Sequence, residues 1–115
     1  MTPLHYLSIT ELQEAYRKGT YSPVEVTQAA LERIKALDPK LRAFITVTED
    51  LALRQARRAE VEIGAGNLRG PLHGVPIALK DLFDTKGVNT TGGSMALRDR
   101  IPKENATVVT RLAEA

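Results

Sequence analysis

A chain of 115 residues that is 43% hydrophobic, 26% charged and 4% aromatic is long enough for one modest globular domain, and it does not have the composition of a disordered segment. Its 16 basic and 14 acidic residues leave a net charge of +2, which is no electrostatic footprint for nucleic acid even though the isoelectric point is about 9.1. The absence of cysteine excludes disulfides and thiolate metal sites. Met1 to Ser8 lacks the basic-then-apolar order of a signal peptide, and the longest apolar run, Val75 to Leu79, is far too short to cross a bilayer. The expectation is a soluble cytoplasmic protein that needs no membrane and binds no nucleic acid directly.

In chain order, Ser8-Ile9-Thr10-Glu11 reads as a capping box that opens a first helix running to about Lys18 and closed by Gly19. Ser22-Pro23-Val24-Glu25 repeats the device, with proline at the first helical position. Val26, Ala30, Leu31, Ile34 and Leu37 then recur on one helical stripe, and Asp38-Pro39 is expected to end that helix. Arg42 to Val47 reads as a short strand, with Phe44 to Val47 as its sheet-forming part. Glu49 to Ile63 reads as a third helix with a narrow inner stripe of Ala52, Ala56, Ala59 and Ile63, stopped by Gly64-Ala65-Gly66-Asn67. Arg54, Arg57 and Arg58 lie off that stripe and read as a solvated face. The last helical pattern stops at Glu114-Ala115 without a glycine cap, which suggests an amino-terminal piece of something longer.

Three features imitate sites. Gly64-Ala65-Gly66-Asn67-Leu68-Arg69 begins like a dinucleotide fingerprint, but it follows a helix and lacks the third glycine. Gly92-Gly93-Ser94-Met95-Ala96 approaches a nucleophile elbow without its strand-to-helix turn, so Ser94 is not expected to be a nucleophile. His5 and His73 have no second ligand at metal spacing and read as structural.

The most informative stretch is Gly74-Val75-Pro76-Ile77-Ala78-Leu79-Lys80-Asp81. Read as a strand from Val75 to Lys80, it places three aliphatics on one face and delivers Lys80 at a nearly buried end, with Asp81 pointing the other way. Gly70-Pro71-Leu72-His73 precedes it, and the hydroxyl- and glycine-rich run from Asp84 to Ser94 comes after, as expected of loops that flank a site. An ammonium cannot accept a proton, so a lysine acting as a base must be held neutral, and burial is the obvious means.

Residues 70–81, then Asp84-Thr85-Lys86-Gly87, then Thr90-Thr91-Gly92-Gly93-Ser94, resemble the first block of the amidase signature family, and Asn105 to Leu112 resembles the helix that comes next in that family. The resemblance implies an α/β fold: helices packed on a mixed β-sheet, with residues 1–115 as the amino-terminal, truncated portion of a single domain. It also implies hydrolysis of an amide carbon–nitrogen bond in a small-molecule substrate through a Ser, cis-Ser, Lys triad and an acyl-enzyme. Lys80 falls on the catalytic lysine, while the segments bearing the two serines do not occur in this chain. The resemblance implies no cofactor and no metal, and the partners it suggests are the remaining carboxy-terminal part of the enzyme and a homo-oligomeric copy. It leaves open a free-standing amidase, the glutaminase A subunit of a tRNA-dependent amidotransferase, or an inactive remnant that serves as an interaction fragment.

Overall fold

The structure, a computed structural model, describes residues 2–115; Met1, the first residue of the stretch read as lacking a signal-peptide pattern, lies outside them. Four α-helices are formed: α1 (Ile9–Lys18), α2 (Pro23–Leu41), α3 (Glu49–Gly64) and α4 (Thr107–Glu114). Short 3-10 turns occupy Leu4–Tyr6 and Met95–Leu97, and there is no strand among the described residues. The chain divides into two compact units, Met1–Pro76 and Ile77–Ala115.

In the first unit both expected capping boxes are present. The Ser8 hydroxyl accepts from the Glu11 amide while the Glu11 carboxylate accepts from the Ser8 amide, and Ser22 and Glu25 repeat the exchange. Gly19 adopts a left-handed conformation, and the Thr20 amide reaches back to the Ala15 carbonyl, closing α1. With its ends fixed, α1 turns Leu12 and Tyr16 inward against Val26 of α2, and Leu4, Leu7, Tyr21, Ile63 and Val75 pack around them. Burying each such aliphatic contributes about 2 kcal/mol. α2 packs on α3, where Ala56 and Ala59 are buried and present no bulk to hold the helices apart. An exposed Lys35–Glu49 ion pair of 3.0 Å joins the same two helices and adds little.

Three expectations need correction here. α2 does not end at Asp38-Pro39 but continues to Leu41. Proline forfeits one amide hydrogen bond, a loss confined to the last turn, and Asp38 organises the residues beyond it. Its carbonyl accepts from the left-handed Arg42, and its carboxylate accepts from the amides of Ala43 (2.7 Å) and Phe44 (3.1 Å). Those amides are therefore committed to a helix cap, and Phe44 to Val47 form no strand. Val75 to Lys80 is likewise not a strand, because no segment lies alongside to form a ladder. Lys80, expected at a nearly buried strand end, is exposed, and of the aliphatics before it Ile77 is 54% exposed and Leu79 37%.

The second unit has little regular structure beyond α4, which buries Val109. It is held by a lattice of loop hydrogen bonds. The Gly87 amide donates to the Pro102 carbonyl, the Thr90 amide to the Arg100 carbonyl, and the Ala106 amide to the Asp84 carbonyl. The Asn89 side chain donates to the Arg98 and Arg100 carbonyls, and Asn105 accepts from the Lys86 amide.

Candidate functional site

In the first unit, the turn from Gly70 to Gly74 is built on a buried imidazole. His73 is 1% exposed; its Nδ1 accepts from the Arg69 amide at 3.1 Å, which places its hydrogen on Nε2, and that atom lies 2.8 Å from the Glu62 carboxylate. The hydrogen bond from Arg58, followed by that from His73, holds the Glu62 carboxyl below its ordinary range. From α1, Gln13 donates to the His73 carbonyl at 2.9 Å and Tyr16 to the Gly74 carbonyl at 3.0 Å. Burial pushes the Tyr16 hydroxyl up to about 12. Gly74 is left-handed, and a Cβ there would sit 2.9 Å from Pro23 Cγ and 3.3 Å from Ile63 Cδ1. Only glycine meets both conditions. His73 thus holds the turn together through its hydrogen bonds, and His5 is an exposed residue of a 3-10 turn whose ring sits 4.4 Å from that of Tyr6.

In the second unit, Lys80 is exposed, and its ammonium has no hydrogen-bond or ion-pair partner among the described residues. The amides of residues 77–80 also make no hydrogen bond to a described residue, so restraint on the Lys80 backbone comes from the residues after it. Its carbonyl accepts from the Phe83 amide at 3.0 Å. Next along the chain is a polar clasp on Asp81. The carboxylate accepts from the Thr91 amide (2.9 Å), the Thr91 hydroxyl and the Gly93 amide (3.1 Å), while the Asp81 carbonyl accepts from the Gly92 amide at 2.7 Å. Gly92 and Gly93 are both left-handed, which lets three consecutive amides converge on one residue as an anion-binding concavity. The Thr91 hydroxyl, and then its amide, hold the Asp81 carboxyl below its ordinary value. Thr90 and Thr91 are both buried.

A bidentate ion pair braces this loop. Arg100 donates to both oxygens of Asp84, at 2.7 and 2.8 Å, and to the Thr90 carbonyl at 3.2 Å. The Arg100 hydrogen bond lowers the Asp84 carboxyl from its ordinary value. Ser94 is exposed at the start of the 3-10 turn, its hydroxyl making no capping hydrogen bond. No group of three or more metal-ligating side chains is found among the described residues. A surface depression lined by Ile34, Lys35, Asp38, Pro39, Val47 and Glu49 includes no residue of the 70–94 stretch.

Sequence reasoning singled out Lys80 and assigned the flanking loops no individual roles. It therefore missed Asp81, Thr91, Asp84 and Arg100. The signal available was the density of hydroxyls and paired glycines at Thr90-Thr91-Gly92-Gly93, which marks a loop whose amides need an acceptor.

Comparison with known proteins widens the picture. A family model described as Amidase matches residues 25–115. The A subunit of glutamyl-tRNA(Gln) amidotransferase from Chloroflexus aurantiacus is 47% identical over 115 residues, covering 100% of this chain and 24% of that relative. Its counterpart from Carboxydothermus hydrogenoformans is 45% identical over 112 residues, covering 97% and 23%. The solved structure of native peptide amidase from Stenotrophomonas maltophilia matches with a TM-score of 0.91 and 39% identity, over 97% of this chain and 23% of that one. The chain thus spans about a quarter of the length of the proteins it matches. With the family match covering most of its residues and the same backbone arrangement present in a solved amidase, the chain belongs to the amidase family.

Proposed function

We propose that this chain supplies the amino-terminal portion of a single amidase domain, and with it the catalytic lysine, Lys80, of an amide-hydrolysing enzyme. The observation that carries the reading is the family match over residues 25–115, which contains Lys80 and the whole 74–94 stretch. In the complete domain a mixed sheet takes up Val75 to Lys80, and Lys80 belongs to a Ser, cis-Ser, Lys triad. A neutral Lys80 takes a proton from one serine as that serine takes one from the nucleophilic serine, whose oxygen attacks the amide carbonyl. The amine leaves with a proton, and water releases the acyl group from the serine. The exposure of Lys80 in this chain bears directly on this chemistry. The cover that disfavours its ammonium must come from the remaining three quarters of a protein of the relatives' length. The substrate is a small-molecule amide, and a second copy of the enzyme is a candidate partner.

Glutamine as the amide is a second reading, favoured by the 44 to 48% identity to amidotransferase A subunits against 39% to the peptide amidase. Both readings share one test. Joined to the remaining three quarters of the Stenotrophomonas maltophilia peptide amidase, the chain should give amide hydrolysis that falls ~100-fold to 10,000-fold in Lys80→Ala. Lys80→Arg should be nearly as damaging, because a guanidinium stays protonated. Near wild-type turnover in Lys80→Arg would rule out the base role. Joined instead to the remainder of an amidotransferase A subunit, hydrolysis of glutamine in preference to other amides would favour the second reading. The 115-residue chain by itself should hydrolyse no amide, and turnover abolished by Ser94→Ala would contradict this.

A further inference from the structure

We infer that Asp81 and Thr91 are positioning residues that fix the backbone at Lys80 through the clasp between Asp81 and the Thr91-Gly92-Gly93 turn. The inference rests on the reading of Lys80 as the catalytic base. Its ground is an asymmetry in how Lys80 is held. On the amino-terminal side, the amides from Ile77 to Lys80 are unbonded among the described residues, so nothing in this unit fixes the chain as it arrives at Lys80. On the carboxy-terminal side the restraint is dense. The Phe83 amide closes a turn on the Lys80 carbonyl, and Asp81 is bound through both its carbonyl and its carboxylate, the latter by three donors.

The same clasp addresses a chemical conflict. A carboxylate adjacent to a lysine in sequence can stabilise the ammonium, which is the wrong state for a base. Here the Asp81 oxygens are occupied by the Thr91 hydroxyl and by the amides of Thr91 and Gly93, and no hydrogen bond or ion pair joins them to Lys80. Of the other carboxylates between Asp81 and Arg100, Asp84 is paired with Arg100 and Asp99 with Arg98. Buried Thr91 and the left-handed pair Gly92-Gly93 are therefore explained together, as the donor set for one residue: Thr91 and Gly93 serve the Asp81 carboxylate and Gly92 its carbonyl.

The discriminating substitution is Thr91→Val, which removes the hydroxyl while keeping shape and backbone amide; Thr91→Ser restores the hydroxyl. In the 115-residue chain, amide exchange at Gly93 should quicken about 10-fold or more in Thr91→Val, the Lys80 amide resonance should move, and Thr91→Ser should reverse both. An unmoved Lys80 resonance in Thr91→Val overturns the proposal. In the joined enzyme, kcat should fall about 10-fold to 100-fold with KM within about twofold, again rescued by serine. Wild-type kcat in Thr91→Val alongside an inactive Lys80→Arg overturns the positioning role and leaves the base role standing. An active Lys80→Arg overturns the base reading itself.

Discussion

The two units of this chain are held together by different physics. The first is a helical packing unit: capping boxes fix the ends of α1 and α2, and Leu12, Tyr16 and Val26 meet in a shared apolar core. The second has one helix of eight residues and depends on polar clasps, with Asp81 gathering the Thr91 turn and Arg100 bridging Asp84 to Thr90. It also leaves Ile77, Leu82, Met95 and Ile101 largely exposed. A core of side chains tolerates local error because its energy is spread over many contacts, whereas a clasp fails when one donor is lost. Lys80 sits in the unit of the second kind.

The sharpest way to break the first unit is Gly74→Ala. It forces a left-handed backbone on alanine and drives its methyl into Pro23, so the loss should be about 3 kcal/mol, read as a fall in the melting midpoint of the α1–α3 helical signal. Unchanged stability would mean that Pro23 and Ile63 can move aside, and that the turn is not locked to the core.

Alkali should separate the units next. Tyr16 is raised from its ordinary 10.0 to about 12, so its contribution is fully present below pH 10 and is lost as pH rises from there through about 12, at most about 3 kcal/mol. All three tyrosines lie in the first unit, so this ionisation leaves the second untouched. Tyr16→Phe should remove the alkaline step at a cost of about 1 kcal/mol for the Gly74 carbonyl left without its donor. Acid acts on both. Glu62, Asp81 and Asp84 are all lowered, so what they contribute is present above their ordinary values and lost as pH falls through the depressed ones. A step between pH 10 and 12 that persists in Tyr16→Phe would count against this assignment.

The smallest global effect is expected from Arg100→Lys. An ammonium cannot reproduce the two-pronged contact with Asp84 and also reach the Thr90 carbonyl. Amide exchange at Thr90 and Ala106 should quicken while protection of α1–α3 stays as it was. Loss of protection throughout the chain would show that the clasps stabilise more than their own unit. Because the apolar residues of the second unit are exposed, sedimentation should show self-association, and a strict monomer would show that these side chains are too dispersed to form a patch.

Much of the first unit is legible in the residues themselves. Ser8, Glu11, Gly19, Ser22 and Glu25 specify helix ends through interactions within four residues, and Val26, Leu31, Ala56 and Ala59 reveal their faces by spacing alone. Such signals are local, so the sequence carries them complete. Residues 70–94 also marked the family and picked out Lys80. Tertiary structure decided what depended on partners distant along the chain. A strand exists only when another segment offers its hydrogen bonds, and neither Phe44 to Val47 nor Val75 to Lys80 is offered them here, while Asp38 takes the amides of Ala43 and Phe44 for a cap. Side-chain hydrogen bonds such as Gln13 to the His73 carbonyl, Thr91 to Asp81 and Arg100 to Asp84 join positions 10 to 60 residues apart, and no periodicity encodes them. They arise because a buried or turned backbone must satisfy its donors and acceptors, and only the folded chain determines which groups are within reach.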